Sequence, residues 1–130
     1  MQHHEFLARV RELGEYMSQD EAAAVTEAVL TVLAQRINPG EADDLASQLP
    51  EPLGQKLTEA KAQQAENFGI EEFNRRAAER VGARPRTAEW DASAVLTTRA
   101  EAVSGGELNQ ILSQLPSGYA VLFGKPDLRS

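Results

Sequence analysis

The chain has 130 residues, 42% of them hydrophobic and 25% charged, with no cysteine and a formal net charge of −7. Its length and balance suit one soluble globular domain. The lack of cysteine excludes disulfides, thiolate metal sites and cysteine nucleophiles, the acidic charge argues against broad binding to phosphate backbones, and no run of about 18 apolar residues exists to form a membrane-crossing helix.

The start, MQHHEFLARVRELG, runs straight into an amphipathic pattern with no signal-peptide core. A cytoplasmic protein is therefore expected, and the missing cysteine fits a reducing compartment. Phe6, Val10 and Leu13, with Leu7 beside them, line one face of a first helix that closes near Gly14. A second helix spans 19–36, with Val25, Ala28, Val29, Val32 and Leu33 inward and Asp20 as a cap or first-turn acid. Asn38-Pro39-Gly40-Glu41 then reads as a strong helix start: a cap, a proline at the first helical position and an acid three residues after the cap. Leu45 and Leu49 are the buried residues of that third helix, and Pro50 stops it. A short fourth helix carries Leu53 and Leu57, and the polar stretch at 61–69 is a helical extension or a linker.

The pattern then recurs. A helix over 71–81 places Phe73, Ala77 and Val81 inward, with Gly82 near its stop, and GARPRT at 82–87 reads as a loop broken by Pro85. Residues 88–102 form a long helix carrying Trp90, Ala94 and Val95. Ser104 and Glu107 make an S-x-x-E capping box for a helix lined by Leu108, Ile111, Leu112 and Leu115; Pro116 stops it, and Tyr119 begins a last short helix. Gly40, Glu41 and Ser47 to Pro50 match Gly106, Glu107 and Ser113 to Pro116 at an offset of 66, and AVLT at 28–31 recurs at 94–97. Glu5-Phe6 recurs as Glu72-Phe73 at an offset of 67, so one residue is gained or lost between. The expected fold is all-α, a single domain over 1–130 built as a helical bundle of two tandem four-helix repeats, 1–60 and 68–126, related by pseudo-symmetry.

EFLARV at 5–10, AVLTVLAQRI at 28–37, GEADDLASQLP at 40–50 and GELNQILSQLP at 106–116 together resemble a bacterial family of unknown function, number 2267 in its series. The resemblance covers nearly the whole chain. It implies a small, soluble helical protein with no assigned activity, so no catalytic residue carries over. The second repeat departs from the pattern at Thr98 and Arg99, where apolar residues belong.

The residues that recur are explained by structure first. Glu41 and Glu107 suit the third position of a capping box better than a pair of catalytic or metal-binding carboxylates. Gln48 and Gln114 precede Leu-Pro and read as buried amides that bond the backbone at the proline turn. His3 and His4 are adjacent, so their side chains diverge by about 100° on a helix and do not chelate one metal. Ser104-Gly105-Gly106 lacks the pattern of a phosphate loop.

The informative positions are those where the copies disagree. Asp91, Thr98 and Arg99 stand where the first unit has Val25, Val32 and Leu33. They border either a polar pocket beside Trp90 or a helix that has rotated or whose Arg99 reaches solvent along its stem. Asp91 and Arg99 lie about 12 Å apart along one helix, too far to pair directly. Arg75, Arg76, Arg80, Arg84 and Arg86 make the one basic cluster, with Glu71/Arg75 and Glu72/Arg76 expected as pairs. The resulting expectation is a protein-interaction or ligand-binding module without catalysis, its partner an unknown protein or small ligand rather than nucleic acid or membrane, with no cofactor or metal. Candidate contact residues are Trp90, Asp91, Thr98, Arg99, Arg75, Arg76 and Arg80. The alternative is a small-ligand binder or enzyme that uses the polar inter-helix pocket.

Overall fold

The computed structural model describes residues 2–61, 66–82 and 85–102, the side chains of 85–89 and 99–102 excepted. Six helices occupy this part of the chain: α1 (His3–Gly14), α2 (Gln19–Arg36), α3 (Pro39–Ser47), α4 (Leu53–Ala60), α5 (Ile70–Val81) and α6 (Pro85–Ala102). No strand occurs among the described residues, and the fold is all-α. The helices expected after Ser104 lie outside the described residues, as do Glu107, Gln114, Arg84 and the side chains of Arg86 and Arg99.

α2 is the axis of the molecule. It is buried almost all the way round, through Ala22, Val25, Ala28, Val29, Leu30, Val32, Leu33 and Ala34. That is the signature of an internal helix rather than a surface one. It packs against α1, α4, α5 and α6; α1 and α5 also pack on α6, and α3 packs on α4. One hydrophobic cluster takes residues from all six helices, with Phe6 and Phe73 fully buried within it. Gly54 lets α4 approach α3, because a Cβ there would sit 2.4 Å from the Ala46 carbonyl oxygen.

The helix ends follow local chemistry. Asn38 caps α3 by accepting from the Glu41 amide at 2.8 Å, with Pro39 at the first helical position. Ser18 caps α2: its hydroxyl accepts from the Glu21 amide at 3.1 Å, and Glu21 accepts from the Met17 amide at 3.2 Å. The first bond is an N-cap, the second ties the preceding residue to the first turn, and Asp20 is a first-turn acid beside them. α1 and α5 close on left-handed residues, Glu15 at φ 56° and Gly82 at φ 71°.

Two expectations change. Pro85 does not break the chain into a loop; α6 begins on it, because a proline at the first helical position has no amide to leave unpaired. Gln48 is exposed rather than a buried amide; its backbone N–H donates to the Leu45 carbonyl at 3.0 Å and ends α3. α4 stops at Ala60, and residues 61 and 66–69 are in no helix, which agrees with the linker among the two readings of 61–69. The Glu66 amide donates to the Gln35 carbonyl at 3.0 Å.

Candidate functional site

The four residues that join α1 to α2 form a rigid corner. Arg11 donates to the carbonyls of Tyr16 at 3.3 Å and Met17 at 3.1 Å. The Tyr16 ring lies over Gly14 so closely that a Cβ on Gly14 would fall 2.1 Å from a ring carbon. α6 grips this corner with two adjacent side chains. Trp90 Nε1 donates to the Gly14 carbonyl at 3.0 Å. The Tyr16 hydroxyl donates to Asp91 Oδ1 at 2.5 Å, across 75 residues of sequence.

Asp91 is therefore a core carboxylate, 4% exposed, at the position where α2 has buried Val25. Burial pushes its carboxyl above the usual range and the Glu21 charge adds to the rise, while the Tyr16 hydrogen bond acts the other way. The Tyr16 hydroxyl is held above the ordinary phenol range, first by burial and then by its bond to Asp91. Tyr16, Glu21, Arg80 and Asp91 line a depression of about 330 Å³ whose remaining walls are Ala24, Val25 and Val81. Arg80 is exposed, and among the described residues it forms no ion pair with either carboxylate. A second, smaller hollow of about 110 Å³ is lined by Trp90 with Leu13, Ser93, Ala94 and Thr97.

The other candidate residues are distributed differently. Thr98 is fully buried, and its hydroxyl donates to the Ala94 carbonyl at 2.8 Å. It thus fills the space of Val32 with its polarity satisfied inside its own helix. Arg99 lies in α6, with its side chain outside the described residues. Arg75 is bracketed by Glu72 and Glu79 rather than by Glu71. Arg76 bonds Glu72 at 2.8 Å, Glu66 at 3.0 Å and Gln35 at 3.3 Å, and its guanidinium lies 4.1 Å from the centre of the Phe68 ring. The bonds from Arg75 and Arg76 hold the Glu72 carboxyl down to about 2. These two arginines thus neutralise carboxylates of the chain itself, and among the described residues Arg80 is the member of the cluster that shares a depression with Asp91.

Tyr16 and Glu21 are site residues that the sequence reading did not single out. Glu21 had a local signal, since Ser18-x-x-Glu21 has the spacing of a capping box. Tyr16 had none, because its role depends on a partner in α6. No group of three or more His, Asp or Glu side chains converges as a metal site among the described residues.

No helix among the described residues is long and apolar enough to cross a membrane. No curated protein matches the chain. Residues 3–122 match the family described as Uncharacterized conserved protein (DUF2267), and the chain belongs to that family.

Proposed function

We propose that this protein is a non-catalytic binding module that docks a polypeptide on the corner where α6 meets the α1–α2 loop. One observation carries the reading: Trp90 is 52% exposed, yet its indole N–H is fixed on the Gly14 carbonyl. A large aromatic held in one orientation at the surface loses little freedom on binding, and tryptophan dominates interface hot spots. Met17, on the adjoining loop, is 85% exposed and extends the apolar surface. Arg75 and Arg76 are internally paired, and Arg80, which forms no ion pair among the described residues, is the cation of α5 available to a partner's carboxylate.

The test is affinity purification with the full chain and with Trp90→Ala/Met17→Ser, each checked for an unchanged helical spectrum. A partner retained by the parent protein and lost by the variant is expected; an identical set of bound proteins overturns the reading.

The repeat architecture belongs to the same proposal. α1 and α5 are 12 residues each, and α2 and α6 are 18 each. α1 and α5 start 67 residues apart while α2 and α6 start 66 apart, which supports a single-residue shift between the paired helices. We place the protein in the bacterial cytoplasm, with two tandem four-helix units forming one domain.

A second reading is favoured by Asp91. A buried carboxylate lining a depression, with a guanidinium on the same walls that forms no ion pair among the described residues, suits a small ligand. Thr98 enters this reading as a buried side chain already bonded within α6, and Arg99 by its position alone.

A further inference from the structure

We propose that the depression lined by Tyr16, residues of α2 and α5, and Asp91 of α6 is a site for an aliphatic α-amino acid, its ammonium on Asp91 and its carboxylate on Arg80. The inference rests on the second reading above and names its ligand. Asp91 and Arg80 line one hollow of about 330 Å³ and do not pair with each other. Opposite charges that share a concavity without touching offer complementary partners to a molecule that carries both. Asp91 is held for this role: Tyr16 bonds Oδ1, and the Tyr16 ring is pressed on Gly14. Leaving a buried carboxylate without a cation is costly, and an ammonium group at Asp91 removes that cost.

The third charged group does not upset the balance. Glu21 uses Oε2 to accept from the Met17 amide at the start of α2, where the helix dipole already favours a negative charge. Two carboxylates fall well short of the six to eight oxygens that a calcium ion takes. A simple anion meets Asp91 and Glu21 on the walls, and is disfavoured. Ala24, Val25 and Val81 are the apolar walls, which fit an aliphatic side chain rather than a polar one.

Three matched probes separate the terms: L-leucine, 3-methylbutylamine, which lacks the carboxylate, and 4-methylpentanoate, which lacks the amine. Each is titrated into the full chain labelled with ¹⁵N, following the amides of Ala24, Val25, Val81 and Asp91. Leucine is expected to give saturable shifts at these residues, with each of the other probes at least about 10-fold weaker. Asp91→Asn, which keeps an acceptor for Tyr16, and the surface change Arg80→Gln are each expected to weaken leucine by about 10-fold or more. If the amine binds as tightly as leucine, or Arg80→Gln leaves leucine binding unchanged, the amino-acid assignment is overturned while a cation pocket stands. If none of the probes shifts these amides at concentrations on the order of 10 mM, both the assignment and the pocket reading fall.

Discussion

Asp91 shows how one substitution between otherwise similar helices changes what a position demands of its surroundings. Its counterpart Val25 needs only apolar neighbours, whereas a carboxylate at 4% exposure needs a donor, and Tyr16 supplies it. The donor does not restore everything lost with water, so the carboxyl remains above its usual range. A carboxyl whose folded pKa is raised favours folding only while protonated. That advantage is complete below the unfolded value of about 4 and is lost as pH rises through the higher folded value. Asp91→Asn keeps the acceptor and removes the charge. Its melting temperature relative to the parent protein is therefore expected to rise between pH 4 and pH 7, as measured by thermal denaturation followed by circular dichroism. A difference that stays constant or shrinks over that interval contradicts the assignment of the strain to this carboxylate. The anomaly was legible by laying the sequence over itself at an offset of 66. Its solution was not, because Tyr16 lies 75 residues away and no spacing rule links the two. Arg75 is similar: the sequence offers Glu71, Glu72 and Glu79 within reach, and side-chain geometry selects the last two.

Helix ends were the most legible elements, because caps are local. Asn38, Pro39 and the stop near Gly14 follow from residue type alone. Pro85 misled because the same residue breaks a helix interior and starts a helix well, and only its position decides which. The corresponding ends of α1 and α5 carry a further consequence. Both close in the left-handed region, α5 on Gly82 and α1 on Glu15. A residue with a Cβ costs roughly 1–2 kcal/mol in that conformation, partly offset by the greater freedom of glycine in the unfolded chain. Glu15→Gly is thus expected to stabilise the protein by about 0.5–1 kcal/mol and to raise Tm by about 2–4 °C in a thermal melt. The stretch after α4 depends on more distant partners. Arg36, itself buried, donates to the Phe68 carbonyl at 2.7 Å, and Arg36 and Arg76 both face the Phe68 ring. Phe68→Ala removes the ring and keeps the carbonyl. A loss of about 1–2 kcal/mol is expected, with faster tryptic cleavage after Lys61 as the segment loosens from α2. Cleavage at the parent rate would show that the backbone bonds alone hold the segment.

At the scale of the whole molecule, the two halves of the chain complete each other. α2 belongs to the first half by sequence, yet it packs on α5 and α6 as well as on α1 and α4. Phe73, Ala77, Val95 and Leu96 share one apolar cluster with Phe6, Val29 and Leu33. Tyr16 with Asp91, and Gly14 with Trp90, are also bonds between the halves. A four-helix fragment ending at Ala60 would expose the side of α2 that α5 and α6 cover, and a chain of about 60 residues has little burial to spare. The fragment is therefore expected to melt without a cooperative transition and to bind a hydrophobic dye, while the full chain unfolds in one step. A fragment with a sharp transition close to that of the full chain would make the halves autonomous, and the bonds between them would then be a docking interface between two domains. In the expected case, no part of the Trp90–Asp91 corner survives in either half alone. Loss of binding by any destabilised variant would then report unfolding of the corner as readily as loss of a contact, so only variants that melt no lower than the parent protein bear on function. Asp91→Asn and Arg80→Gln are chosen on that ground: the first keeps the buried acceptor, and the second changes an exposed side chain with no partner among the described residues.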